Sequence, residues 1–282
     1  LAHPDADVSM ATHARDLLAV LDQIGIARAI LVGWSMGVQV DLEVARIRPD
    51  LPRAFIALFG TYGLPFRNAS PFPLYLGVEA FWGTAARLPA LWGGFARLGL
   101  CMPGVSLPLL RSLGFISPTT DDTIFLSNFS NVAQADYRTY LRTMIELAGH
   151  DASGVLPSLR IPALVIGGGL DSLTPPTASH RMARLIPDAE LEILPTATHY
   201  GLIEHGQPVN ARLDRFLNER VFPVKGRGRT ERTVGTDVLA SLDVGEHLAA
   251  DIEPDETLPG DIDGNTVDYA LDATPPPDPV PV

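Results

Sequence analysis

The sequence predicts an α/β fold in which a mostly parallel sheet carries helices on both faces. Hydrophobic residues make up 46% of the 282 residues, which is enough to bury a large core. Short apolar runs alternate with amphipathic helical patterns in two separate parts of the chain, as in the strand–helix–strand units of parallel sheets. Between these parts, residues 61–156 follow a helical and irregular pattern interrupted by Gly and Pro, which indicates an insertion.

The first α/β part begins with a helix and ends with a strand. Apolar residues recur at helical spacing in residues 16–24, and Gly25 suits the position after a helix C-terminus. Residues 29–32, Ala-Ile-Leu-Val, form a short buried strand. A second helix follows, which Pro49 ends, and residues 54–59 form the next strand.

The second α/β part repeats this rhythm after the insertion, and a tail of different composition closes the chain. Its predicted strands are 163–166 and 191–194, and its predicted helices are 176–186 and 209–221. The tail is acidic, poor in aromatic residues and rich in Pro near its end, so we expect it to be disordered. The predicted divisions are a first core part, a cap, a second core part and a tail: residues 1–60, 61–156, 157–221 and 222–282.

The net charge of −12 arises in the tail. Residues 233–282 hold 12 acidic residues and no Lys or Arg, so the rest of the chain carries 21 acidic and 21 basic residues. A neutral body lacks the basic surface that nucleic acid binding requires. We therefore expect no nucleic acid partner, and a basic protein partner for the tail is a weaker alternative because charge runs are usually solvated.

Composition also limits the cellular context and the cofactors. The single cysteine, Cys101, excludes a disulfide framework and a thiolate zinc cluster. We find no apolar run of about 18 residues free of charge and proline, and no signal-peptide pattern at the start. We therefore expect a cytoplasmic protein without a transmembrane segment, a metal or a cofactor.

The strongest chemical signal is Gly33-Trp34-Ser35-Met36-Gly37, which fits G-x-S-x-G between a predicted strand and a predicted helix. Such a turn forces its central residue into a strained conformation, and we expect the flanking glycines to remove side-chain clashes. Ser35 would then be exposed at the carboxyl edge of the sheet, and the backbone N–H of Met36 would point to a developing oxyanion.

A serine nucleophile needs a base and a carboxylate that orients the base. Asp171 follows the strand at 163–166, and His199 follows the strand at 191–194, so both lie at strand ends where site residues gather. Asp171 has the alternative role of a turn or N-cap residue. Among the other histidines, His205 is the main competitor for the base.

Together with Gly168-Gly169-Leu170-Asp171 and Ala197-Thr198-His199-Tyr200-Gly201, the Ser35 motif resembles the α/β-hydrolase superfamily over about residues 16–217. The resemblance implies an eight-stranded, mostly parallel sheet with residues 61–156 as a cap. It also implies that Ser35 is the nucleophile, His199 the general base and Asp171 the orienting acid.

The sequence departs from this family before Ser35. Family members have several strands ahead of the nucleophile and a second oxyanion donor in a loop, often His-Gly. Here one helix precedes the strand, and no His-Gly pair occurs before Ser35. We therefore expect an N-terminally incomplete version of the fold, either a fragment of a longer hydrolase or a reduced form. Loss of one oxyanion donor lowers turnover by about 10²–10³-fold.

The predicted function is a serine hydrolase that cleaves a carboxylic ester, thioester or lactone through an acyl-enzyme on Ser35. Trp34 and the cap aromatic residues suggest a small-molecule substrate with an apolar group. Packing of the cap on the core explains the cap aromatic residues equally well. The cap aromatic residues in question are Trp82, Trp92, Phe81 and Phe95. An acyltransferase with the same triad and a non-catalytic binding protein are the alternatives, and the oligomeric state is left open.

Overall fold

The computed structural model describes residues 6–65, 80 and 82–223. In these residues four parallel strands form one sheet, and the order of the strands in the sheet is their order in the chain. The strands are β1 (Ala29–Trp34), β2 (Pro52–Leu58), β3 (Ala163–Gly168) and β4 (Ala189–Leu194). The predicted α/β class and parallel sheet are confirmed, and each strand overlaps a predicted one. The described residues contain four strands, whereas the family resemblance implies eight.

Helices connect the strands and also form the segment between β2 and β3. Those beside the sheet are α1 (Met10–Gln23), α2 (Met36–Ile47), α7 (Pro176–Leu185), the short α8 (Gly201–Glu204) and α9 (Gly206–Phe216). Those between β2 and β3 are α3 (Pro89–Cys101), α4 (Pro103–Ser112), α5 (Asp122–Gln134) and α6 (Tyr137–Gly149). A 3₁₀ turn (Ser153–Ser158) precedes β3, and a π turn (Leu217–Val221) follows α9.

The core lies on both faces of the sheet, because successive strand residues point to opposite sides. Phe55 and Ala57 of β2 belong to one buried cluster, which α1, α2 and α7 complete. Ile56 and Leu58 of the same strand belong to a second cluster, which α9 completes. Helices therefore cover both faces, as predicted. Within the described residues β1 lies at one edge of the sheet, and Val32 on it is exposed.

The first and last helices differ from the prediction by several residues. The first helix begins at Met10 rather than residue 16, because the Ser9 hydroxyl accepts a hydrogen bond from the Thr12 amide and caps the helix there. The last helix begins at Gly206 rather than residue 209. Gly25 has a φ of 73°, the left-handed conformation that favours glycine after a helix end.

The segment between β2 and β3 contains helices and no strand among its described residues. Its two ends lie together, since the Ala152 amide donates to the Tyr62 carbonyl oxygen and the Leu64 amide donates to the His150 carbonyl oxygen. Phe81, named above as a candidate for substrate contact, and the predicted disordered tail from residue 224 onward lie outside the described residues.

None of the helices in the described ranges is individually long and apolar enough to cross a membrane. Helices α3 and α4 would meet the length and composition of a span together, but the chain bends by 105° between them.

Candidate active site

Ser35 occupies a strained turn between β1 and α2. Its φ is 55° and its ψ is −118°, a region that non-glycine residues rarely adopt. The Ser35 amide donates to the Leu58 carbonyl oxygen of β2, and the Ser35 carbonyl oxygen accepts from the Val38 amide in α2. These two bonds fix the turn from both sides, so the hydroxyl is held at the carboxyl edge of the sheet.

The two glycines of the motif differ in their surroundings. A Cβ atom on Gly33 would lie 2.5 Å from both the Gly37 carbonyl carbon and the Val38 amide nitrogen. A Cβ atom on Gly37 would meet no atom within 4 Å. The close approach of β1 and α2 therefore requires glycine at position 33, and the expectation that both glycines relieve a clash is wrong for Gly37.

The structure brings Ser35, His199 and Asp171 together. The Oγ atom of Ser35 lies 2.8 Å from Nε2 of His199, and Nδ1 of His199 lies 2.9 Å from Oδ2 of Asp171. Asp171 and His199 are buried, with 2% and 7% of their surface exposed. A buried carboxylate that accepts from Nδ1–H leaves Nε2 free to take a proton from the serine hydroxyl.

Asp171 also fills the turn role that the sequence leaves open as an alternative. Its Oδ1 atom accepts hydrogen bonds from the amides of Leu173 and Thr174 at 2.9 and 2.8 Å. Its Oδ2 atom accepts from the Thr174 hydroxyl at 2.7 Å as well as facing His199. The turn at residues 171–174 therefore holds the Asp171 carboxylate in place, and the carboxylate in turn orients the His199 imidazole.

The competing histidines lie elsewhere. His205 caps α9 and its Nε2 atom is 3.3 Å from the Thr196 hydroxyl. His180 is exposed on α7. His150 follows α6, where its ring contacts Gln39 and Glu43 of α2.

Ser35 and His199 open into a cavity of about 620 Å³ between the sheet edge and the helices that follow β2. Of the tryptophans named from the sequence, Trp34 and Trp82 line this cavity and Trp92 does not. Trp92 lies on α3, where its ring is 6.0 Å from that of Phe95, which is exposed and likewise absent from the cavity wall. Substrate contact by Trp92 and Phe95 is therefore not supported.

The remaining wall is mostly apolar, with a few polar groups. Its other members include Phe115, Val132, Met144, Leu147 and Leu173, together with Gln39, Thr61, Tyr140 and Tyr200. Burial raises the pKa of both Tyr140 and Tyr200, so their hydroxyls stay protonated at neutral pH. Such a wall suits an apolar group that carries a small number of hydrogen-bonding atoms.

Met36 is the first residue of α2 and lines the same cavity. The first amide groups of a helix have no partner within the helix, and they lie at the positive end of its dipole. The backbone N–H of Met36 is thus available beside Ser35. Within the described residues, no group of three or more His, Cys, Asp or Glu side chains is arranged to hold a metal ion.

Trp34 supports the loop that carries His199. Its indole N–H donates to the His199 carbonyl oxygen at 3.2 Å, and the two rings lie 5.7 Å apart. Tyr200 packs edge-on against the His199 ring at 5.9 Å. The imidazole therefore packs against both rings, which also lie 6.0 Å from each other.

Sequence analysis did not identify Glu204, whose carboxylate fixes the same loop. Its Oε2 atom accepts from the Thr198 amide at 2.8 Å, and its Oε1 atom accepts from the Thr198 hydroxyl at 2.7 Å. Oε1 also accepts from the Ser117 amide and the Thr120 hydroxyl, which belong to the segment between α4 and α5. The one sequence signal was an acidic residue five positions after His199.

A second cluster that the sequence did not reveal lies beside the cavity. Glu43 contacts both Arg46 and Nε2 of His150, and Gln39 contacts Nδ1 of His150. Burial raises the pKa of the Glu43 carboxyl, but hydrogen bonds from Arg46 and His150 outweigh that effect and lower it. His150 thereby links the segment after α6 to the helix that begins at Ser35.

Comparison with known proteins gives a family match and several relatives. Residues 2–206 match the model of the alpha/beta hydrolase fold family. The polyketide synthase ThaQ of Burkholderia thailandensis is 29% identical over 230 residues, which cover 81% of this chain and 10% of that protein. The 2-hydroxymuconate semialdehyde hydrolase of Pseudomonas putida is 28% identical over 76% of this chain and 71% of its own length.

Solved structures agree on the fold. An esterase from Exiguobacterium antarcticum superposes with a TM-score of 0.61 at 16% identity, over 76% of this chain and 75% of that chain. The family match and the hydrolase relatives together support hydrolase activity of the alpha/beta hydrolase type.

Proposed function

The chain belongs to the alpha/beta hydrolase fold family, and on that premise we propose that it is a serine hydrolase of carboxylic esters, thioesters or lactones. The observation that carries the proposal is the hydrogen-bonded sequence Ser35–His199–Asp171, with distances of 2.8 and 2.9 Å. In this proposal residues 61–156 act as the cap over the cavity.

Acylation begins when the Ser35 hydroxyl oxygen attacks the substrate carbonyl carbon. Its proton passes to Nε2 of His199, and Asp171 stabilises the imidazolium that forms. The carbonyl oxygen becomes an oxyanion, which the Met36 backbone N–H stabilises with the help of the α2 dipole. When the tetrahedral intermediate collapses, the leaving alcohol or thiol takes the proton from His199 and the acyl group stays on Ser35.

Deacylation reverses these roles with water in place of the alcohol. Nε2 of His199 removes a proton from water, and the resulting hydroxide attacks the acyl carbon. Collapse of the second intermediate returns the proton to Ser35 and releases the carboxylic acid. The free Nε2 position required at each step follows from the Nδ1–H bond to Asp171.

The cavity wall supports substrates with an apolar acyl or aromatic group. Trp34 and Trp82 provide large flat surfaces, while the hydroxyls of Tyr140 and Tyr200 can bind polar atoms of the substrate. A cavity of about 620 Å³ accommodates a group of drug-like size.

An acyltransferase with the same triad is the second candidate, because the same acyl-enzyme can react with an alcohol or thiol. A non-catalytic binding protein is the third. The intact geometry around Ser35 favours catalysis over binding alone, since the strained turn is costly to keep without a use.

The test is hydrolysis of p-nitrophenyl esters of increasing acyl length by the wild-type chain. We expect Ser35→Ala to abolish turnover, whereas Ser158→Ala, a matched change at an exposed serine, keeps it. Added alcohol that diverts most of the product to a new ester would identify an acyltransferase instead. Equal turnover by Ser35→Ala and wild type would exclude the proposed mechanism.

A further inference from the structure

Helices α3 and α4 each expose one apolar face. Large apolar side chains are exposed at intervals of three or four residues, which places those of each helix on one side. They are Leu88, Leu91, Phe95, Leu98, Met102, Val105, Leu109 and Leu113, and we call them the α3–α4 stripe. Exposed apolar side chains that are concentrated on one side of a helix, rather than scattered singly, mark a candidate interaction site.

The charged residues within the segment that carries the stripe are all basic. Residues 80–120 contain three Arg residues and no Lys, Asp or Glu, in a chain whose net charge is −12. Arg87 and Arg97 are exposed, while Arg111 forms an ion pair with Asp122. An amphipathic helical surface with apolar and basic residues fits an anionic membrane surface, because acidic groups would be repelled there.

Two aromatic residues that flank the stripe in the chain line the cavity that holds Ser35. Trp82 and Phe115, near the two ends of residues 80–120, both line that cavity. Phe115 is also exposed, and it follows Leu113 by two positions.

We propose that the α3–α4 stripe docks this protein on an anionic phospholipid bilayer. The apolar side chains insert at the level of the headgroups, and Arg87 and Arg97 contact lipid phosphates. A second copy of the chain fits the surface less well, because a symmetric contact between two stripes would bring the arginines of both copies together. The proposal does not depend on hydrolase activity, since docking is measured without turnover.

The first test is co-flotation of the full chain with vesicles of phosphatidylcholine alone or with about one third phosphatidylserine. We expect binding to the anionic vesicles, and a loss of at least about tenfold in Leu98→Gln/Val105→Gln. The matched control is Val20→Gln/Ile24→Gln at the C-terminal end of α1. Val20 and Ile24 are 54% and 63% exposed, which is close to the 53% and 60% of Leu98 and Val105. The control should bind like wild type.

The second pair of variants tests the charges. Arg87→Gln/Arg97→Gln should weaken binding to anionic vesicles by at least about fivefold. Arg160→Gln/Arg184→Gln removes two exposed arginines away from the stripe and should change binding little. Equal losses of vesicle binding in the two variants would show that binding depends only on the net charge of the chain, and would overturn the proposal.

A third readout needs no change to the apolar surface. Cys101 is the single cysteine of the chain, is exposed and ends α3. An environment-sensitive fluorophore on its thiol should shift to shorter wavelength when anionic vesicles are added. An unshifted spectrum at saturating lipid would overturn the proposal even if a stripe variant failed to fold. A dimer by light scattering without lipid, lost in Leu98→Gln/Val105→Gln, would assign the stripe to a second copy instead.

Discussion

Glu204 and Thr198 form a two-point contact directly beside the candidate general base. The Thr198 amide and hydroxyl both donate to the Glu204 carboxylate, at 2.8 and 2.7 Å, and Thr198 is the residue before His199. Because Glu204 does not line the cavity, it acts on the site through the loop that it holds.

We therefore expect Glu204→Gln to lower kcat by at least about tenfold, since small displacements of a catalytic group are costly. The glutamine carbonyl oxygen can still accept at the Oε1 position, but its NH2 group would replace Oε2 and face the Thr198 amide, which is itself a donor. The same conflict should lower the free energy of unfolding by about 1–3 kcal/mol. Steady-state kinetics and urea unfolding measure both effects, with Glu219→Gln as the control at an exposed glutamate. Wild-type kcat in Glu204→Gln would show that the loop needs no such support.

Asp171→Asn separates orientation of the base from the turn. The asparagine carbonyl oxygen can still accept from Leu173 and Thr174, but its amide would face Nδ1 of His199 and favour the wrong imidazole tautomer. We expect kcat to fall by about 10⁴-fold while the melting temperature changes little. A comparable fall in Asp188→Asn, at an exposed aspartate paired with Arg220, would argue that the loss is nonspecific.

The glycines at 33 and 37 should respond differently to alanine. Gly33→Ala would force a methyl group against the backbone of α2, so we expect destabilisation by about 3 kcal/mol or more. Gly37→Ala adds a methyl group in open space within a helix, where alanine is favoured, and should leave the melting temperature equal or higher. Thermal melts by circular dichroism decide the matter, and similar losses in both variants would contradict the described packing.

Asp41 should make stability depend on pH. Burial on α2 raises its pKa from 3.8 to about 7, and its Oδ2 atom has no hydrogen-bond partner among the described residues. The folded state therefore holds a proton that the unfolded state releases, so this contribution is favourable below about pH 4 and is lost as pH rises to about 7.

Asp41→Asn removes this titration. The stability advantage of the variant over wild type should grow by about 2–3 kcal/mol between pH 5 and pH 8. Urea unfolding of both proteins at the two pH values tests this, with Asp50→Asn as an exposed control. A constant difference between variant and wild type would show that Asp41 is ionised in the folded protein at both values.

The four strands and the main helices beside the sheet could be predicted because they depend on local patterns. Apolar runs gave the strands, and Pro49 and Gly25 marked helix ends. The start of α1 was missed because Ser9 caps it before any apolar repeat is visible. Strand-end position also led to Ser35, Asp171 and His199, which parallel strands bring to one edge.

The sequence could not reveal contacts that depend on how the segment between β2 and β3 packs on the rest of the fold. Glu204 meets Ser117 across 87 positions, and His150 meets Glu43 across 107 positions. No local spacing encodes such pairs. The same holds for Trp92, since composition gives an aromatic residue in the segment but not the side on which it lies.

The most direct test of the central claim is reaction of the purified chain with a fluorophosphonate, followed by mass spectrometry of its peptides. The account predicts one covalent phosphonyl group on the peptide that contains Ser35, and none in Ser35→Ala or His199→Ala. A folded wild-type chain that stays unmodified, or that carries the group on another serine, would contradict it.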